Sequence, residues 1–224
     1  TISDGATDGI FAPGVGNITI EGNDITGNAY SGIVLWGVDG VGNIINNRIA
    51  GNLKNGLYLD SRDPATVNIA GNVLANNGAG GAYLKIAPNA VTFNVANNTF
   101  LGNTPYGMYM DQDQGYAKVY NNIFMGHAVG AQIVAKRNDR IQSDFNDMFA
   151  NTENIQFRSD AQQPWKGWDD WKMLGKDGRS MRKDPKFTTE PTCIGDSGVC
   201  LNYHLSSDSP LVNASKNIGN AFCI

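Results

Sequence analysis

From residue 9 onward the chain repeats one short pattern of apolar and polar positions. Gly56-Leu-Tyr-Leu-Asp60, Gly81-Ala-Tyr-Leu-Lys85 and Gly107-Met-Tyr-Met-Asp111 carry apolar residues at the second and fourth places and aromatic or charged residues at the third and fifth. The frame extends to Gly9-Ile-Phe-Ala-Pro13 and Gly32-Ile-Val-Leu-Trp36 upstream, and to Gly130-Ala-Gln-Ile-Val134 downstream. Alternation with period two predicts a half-buried strand in each pentamer. Successive glycines are 23 to 26 residues apart, the signature of a repeat architecture.

A second element follows each pentamer. Asn23, Asn47, Asn72, Asn98, Asn122 and Asn146 each precede an apolar residue by two places: Ile25, Ile49, Leu74, Phe100, Phe124 and Met148. Five places after each Asn lies Asn28, Asn52, Asn77, Asn103, His127 or Asn151. Six such copies predict stacked coils, each with two or three short strands and tight turns. One coil cannot bury its apolar face alone, so its neighbours must cover it. Asn tolerates left-handed backbone, and its amide can bond to the amide of the next coil. That gives the Asn rows a structural role in turn stacking; ligand binding is the rarer use.

The Gly-x-x-apolar-x strands and the Asn-Asn-x-apolar turns, such as Asn97-Asn98-Thr99-Phe100 and Asn121-Asn122-Ile123-Phe124, resemble those of the right-handed parallel β-helix superfamily, the pectin-lyase-like proteins. The resemblance covers about residues 9 to 151. It implies an all-β, right-handed parallel β-helix solenoid of secreted bacterial type, about six to eight coils long. The superfamily's scaffold carries lyases, hydrolases, epimerases and non-catalytic adhesins, so the resemblance implies a fold before it implies a reaction.

At 224 residues one domain is expected, with coils over 1–151 and the last coil or coils plus a C-terminal cap region over 152–224. The 27 glycines and sparse charge suit a turn-rich solenoid. With a net charge of −4 and no Lys/Arg cluster, nucleic acid is not an expected partner. No apolar run approaches the roughly 18 residues of a membrane span, and a membrane is not expected either. The first repeat begins so near Thr1 that a missing cap, another domain or a partner chain is expected to cover the N-terminal end. Cys193 and Cys200 bracket a six-residue loop that could close as a disulfide, leaving Cys223 over. A bridge there would suit a secreted or periplasmic protein.

After Asn151 the repeat fades. Pro164 and Gly175 mark the start and stop of a short helix, with Trp168, Trp171 and Leu174 on one side. That side is expected to cap the solenoid rather than to stack on sugars, because large aromatics mostly serve burial. The Asp184-Pro-Lys-Phe187, Tyr203-His-Leu205 and Ser209-Pro210 segments resemble the tail of many secreted bacterial β-helix proteins. The resemblance implies a final coil and cap, with His204 in packing rather than catalysis.

Stacking the pentamers puts Tyr58, Tyr83 and Tyr109 in one outward column and Trp36, Asp60, Lys85 and Asp111 in another. Adjacent rungs are about 4.8 Å apart, so Lys85 would lie between Asp60 and Asp111. The pentamer face is the expected site of a carbohydrate-active protein with a polysaccharide partner. The most concrete version is a lyase cleaving a uronic-acid polymer by β-elimination. Such a reaction needs a base for the proton α to a carboxylate and a cation for the charge that develops. By resemblance to β-helix lyases, Lys85 is the candidate base, and Arg62, Lys136 or Arg137 the neutraliser. Asp60, Asp63, Asp111 and Asp113 offer oxygens of the kind Ca²⁺ uses, so Ca²⁺ is a candidate cofactor of that version, with the metal otherwise left open. The chain departs from the lyase patterns in lacking a tight acidic cluster beside the lysine, and Arg62-Asp63-Pro64 is not the Asp-Pro-His-Asp motif of alginate epimerases. A second version makes Asp60 and Asp111 the acid and base of an inverting glycosidase. A third leaves the column as a cross-strand charge ladder, on a non-catalytic carbohydrate-binding or adhesin module. Trp36, Tyr58, Tyr83, Tyr109, Asp113, Lys136 and Arg137 are the expected substrate contacts.

Overall fold

The computed structural model describes residues 1–61, 64–86, 91–159, 162–188, 192–194, 199–201 and 205–214. The coils wind into a right-handed parallel β-solenoid of about six turns with three sheets. The pentamers form one seven-stranded sheet: Ile10–Pro13, Ile33–Trp36, Asn55–Ser61, Gly80–Ile86, Tyr106–Gln112, Val129–Ala135 and Glu153–Arg158. The segments after each ladder Asn form a second, running from Ile2–Ser3 to Asp147–Phe149. A six-stranded third sheet, from Ile18–Glu21 to Ile141–Asp144, completes the coil.

The rung-to-rung register is the one the alternation requires. Leu84 pairs with Leu59 on one side and Met110 on the other, and all three are buried in one inner column. Phe100 and Phe124 stack in the core with centroids 4.7 Å apart. Parallel strands with one apolar face can bury it only against the other sheets of their own coil and the coils above and below, hence the columns.

The Asn rows are internal ladders. In the row from Asn23 to Asn146, each Oδ1 accepts the backbone N–H of the preceding rung's Asn at 2.9–3.0 Å. Asn47, Asn72, Asn98 and Asn122 also donate from Nδ2 to main-chain carbonyls of the third-sheet strand one coil back. The residue before several ladder positions is left-handed: Asn46, Asn97 and Asn121 have φ of 56–58°. Asn reaches that region at low cost, which explains the Asn-Asn doublets.

At the far end the helix α1 spans Trp168–Met173, starting later than Pro164, with Gly167 at its N-cap. Trp171 is fully buried against Phe157, 5.1 Å between ring centroids, while Leu174 stays exposed. The helix thus caps the solenoid. Beyond it, Thr192–Ile194 and Val199–Leu201 pair as an antiparallel hairpin with Cys193 opposite Cys200. The side chains of Cys193 and Cys200 lie outside what the structure describes, so the expected bridge is not addressed there. His204 and Cys223 lie outside the described residues. No helix among the described residues is long and apolar enough to cross a membrane.

Candidate functional site

The outward side of the pentamer sheet presents its columns in register. Tyr83 pairs with Tyr58 and Tyr109, and Lys85 pairs with Asp60 and Asp111. The three tyrosine rings are nearly parallel, with centroids 5.0 and 4.9 Å apart and interplanar angles of 5° and 14°. Each ring therefore covers part of its neighbour's face, and the row turns edges and hydroxyls outward. Ring faces in this row are thus only partly open. Burial, followed by the neighbouring Tyr109 and Asp111, pushes the Tyr83 phenol up to about 12. Burial raises Tyr109 as well, so these groups are neutral hydrogen-bonding phenols near neutral pH.

The open aromatic surface lies at the N-terminal end of the same face. Phe11 and Trp36 are 51% and 49% exposed and meet edge to face at 5.3 Å. Trp36 is the rung neighbour of Asp60.

The charged column is not an even ladder. Lys85 Nζ lies 3.2 Å from Asp60 Oδ2, with the Asp60 side chain only 8% exposed and that of Lys85 35%. Asp60 was expected at the surface; it is buried beneath the lysine. A carboxylate removed from water needs such a partner. Asp111, half-buried on the other side of Lys85, has no ion pair among the described residues. Lys136 pairs with Asp113 at 3.0 Å and Arg137 with Asp139 at 2.9 Å, beyond the strand ends rather than on the face itself. Arg62, Asp63 and the 87–90 loop lie outside the described residues. No group of three acidic, His or Cys side chains among the described residues could hold a metal ion. Asp60 and Asp113 are instead engaged with lysines, so the described donors do not fit Ca²⁺.

Tyr106 belongs to the site, although period-two counting places it inside. The alternation breaks at the glycine, since Gly107 and Met108 are both buried. Tyr106 crosses over Gly80, where a Cβ would collide with its ring, and its hydroxyl reaches Asn55 Oδ1 at 3.5 Å. It sits beside Tyr109 at 5.4 Å, tilted by 41°, and burial raises its phenol strongly. The sequence signal was a glycine at residue 80 next to an aromatic one coil later. At the far end Arg158 stacks on Trp165, 4.0 Å from the ring centroid.

A family model described as a right handed beta helix region matches residues 1–148. Neither the comparison with curated proteins nor that with solved structures gave a match.

Proposed function

We propose, from the premise that this chain belongs to the right-handed β-helix family, that the outer side of its pentamer sheet recognises a polysaccharide. One observation carries the reading: the exposed Trp36–Phe11 surface runs in register into a row of tyrosine hydroxyls and the Lys85–Asp60 pair. An apolar ring beside ordered hydroxyl and ammonium donors suits a pyranose, which has both an apolar face and a rim of hydroxyls. The cations Lys85, Lys136 and Arg137 already face carboxylates. Recognition then rests on ring contact and hydrogen bonds more than on net charge. Polymers of this kind are met outside the cytoplasm, so the reading carries a secreted or periplasmic location with it.

A β-elimination lyase is the second reading, favoured by Asp111, a carboxylate one rung from Lys85 with no ion pair among the described residues. In that scheme a base takes the proton α to the uronate carboxylate, the C–O bond at the β carbon breaks, and a carbon–carbon double bond forms. The departing oxygen takes up a proton. With Nζ on Asp60, Lys85 is placed to act as the cation; as a base it would have to give up its ion pair. Asp111 is then the better base. A glycosidase is not favoured, because Asp60 is held as the lysine's partner and a general acid must carry a proton.

The test is a binding and turnover screen against neutral and uronic-acid polymers, by calorimetry and by ultraviolet absorbance of unsaturated products. Trp36→Ala is expected to weaken binding roughly tenfold with little change in melting temperature; Lys85→Ala should weaken it similarly but also lower the melting temperature, because it leaves the buried Asp60 carboxylate without its ammonium partner. Retention of no polymer by the parent, or equal affinity in Trp36→Ala, overturns the reading. Turnover lost in Asp111→Asn with binding kept selects the lyase.

A further inference from the structure

Away from the pentamer face, Asp147 presents an unusual local problem. It stands where the neighbouring rung places Ile123, on the outward side of the second sheet, yet it is only 2% exposed. The chain returns over it. Met181 bridges to Asp147, its N–H donates to Asn146 O at 2.8 Å, and Met148 N–H donates to Met181 O at 2.9 Å. Asp147 Oδ1 accepts the Lys183 N–H at 3.0 Å. Oδ2 is buried with no partner. Beside it lies a cavity of about 390 Å³, where the 205–214 segment meets the coils, walled by Ile123, Met181, Leu205 and Leu211 together with asparagines of the ladder turns such as Asn98 and Asn122.

We infer that Asp147 is a pH-sensitive latch: its carboxyl group sets how firmly residues 181–184 and 205–214 hold to the last coils, tight when protonated and loose when ionised. An ionised oxygen buried without a donor is costly, whereas a neutral carboxyl is tolerated far better. Among the described residues no ion pair relieves a negative charge on Asp147. Asp184 on the returning segment adds repulsion, the neighbouring rung offers Ile123, and the 205–214 segment brings Leu205, Leu211 and Val212. Lys183 contributes its main-chain N–H, which with that of Met148 offsets the effect only in part. Burial thus pushes the Asp147 carboxyl up to about 6. A carboxyl raised in the folded state binds its proton more tightly there than in the opened state. The hold therefore strengthens as pH falls through about 6 and weakens as it rises.

Hydrogen exchange of the parent, corrected for intrinsic rates, reads this directly. Opening of 181–184 and 205–214 should increase roughly tenfold between about pH 5 and about pH 7.5, with the inner coils unaffected. Asp147→Asn keeps the Oδ1 acceptor and removes the charge, so its protection should stay high at both pH values. Asp184→Asn removes the repelling neighbour and should move the midpoint to higher acidity. A parent whose segments exchange equally at both pH values overturns the latch, as does an Asp147→Asn variant that keeps the pH dependence. Should Asp147→Asn not fold, an unmoved midpoint in Asp184→Asn has the same force.

Discussion

His127 stands in a row of asparagines and cannot do what they do. Asn28, Asn52 and Asn77 each donate their main-chain N–H to the Oδ1 of the next rung's Asn. Asn103 has His127 in that place, so the series of main-chain donors is interrupted there. Both His127 ring nitrogens lie 3.1 Å from main-chain carbonyl oxygens, those of Asn103 and Phe100. A neutral imidazole has one N–H, so one of the two contacts sets acceptor against acceptor. Burial lowers the His127 pKa, and the two carbonyls oppose that shift only partly. His127→Asn should restore the ladder and add about 1 kcal/mol of stability, near neutral pH, in chemical denaturation. The sign with pH follows. A base depressed in the fold favours folding above its unfolded value of about 6.5 and penalises it as pH falls below that. The variant's advantage should therefore grow on acidification. A variant less stable than the parent at every pH would refute the argument.

At the scale of the strand, the glycine that opens each pentamer is a matter of space. A Cβ on Gly56 would lie 2.6 Å from the Gly81 carbonyl oxygen and 2.9 Å from Asn77 Nδ2. On Gly107 it would meet the Gly130 carbonyl oxygen at 2.7 Å and His127 Nε2 at 2.8 Å. The chain turns out of the Asn ladder here, and the main chain of the next rung passes directly over the glycine. Gly56→Ala should cost on the order of 1–3 kcal/mol, since neither backbone nor laddered amide can yield without moving a whole coil. A change below about 0.5 kcal/mol in denaturant unfolding would show the rung spacing to be softer than this. The same crowding gives the tyrosine row its order: rungs about 4.8 Å apart leave ring planes little choice but to lie parallel.

For the whole molecule, the vulnerable places of a solenoid are its ends. The far end is closed by Asp177, which is fully buried. Oδ2 accepts from Trp171 Nε1 and Ser143 Oγ, both at 2.7 Å, and Oδ1 accepts from Asn146 Nδ2 at 3.0 Å. A carboxylate thus continues the Asn ladder one step beyond the last coil and ties helix α1 to it. Asp177→Ala would strand two buried donors, Trp171 Nε1 and Ser143 Oγ, and should cost about 3 kcal/mol or more. Because coils contact only their neighbours, the loss should appear first as faster hydrogen exchange in the last coil, residues 141–158, before the inner coils. Uniform loss of protection along the solenoid, or none, would refute this account of the end.

The sequence alone determined the coil, its register, the Asn ladders and the inward column of Leu59, Leu84 and Met110. Each follows from a local alternation repeated at a nearly constant interval, and stacking converts that interval into contact. It also brought Tyr58, Tyr83, Tyr109, Asp60, Lys85 and Asp111 onto one face, because outward parity is as local as inward parity. Only the tertiary structure decided that Lys85 pairs with Asp60 rather than being shared with Asp111, that the tyrosines cover one another, and that Tyr106 crosses Gly80. The same holds for Asp147 and Asp177, which are buried by segments folding back over the coils. Those outcomes depend on side-chain reach across rungs some 25 residues apart, and on what returns to cover a surface, neither of which a local period encodes.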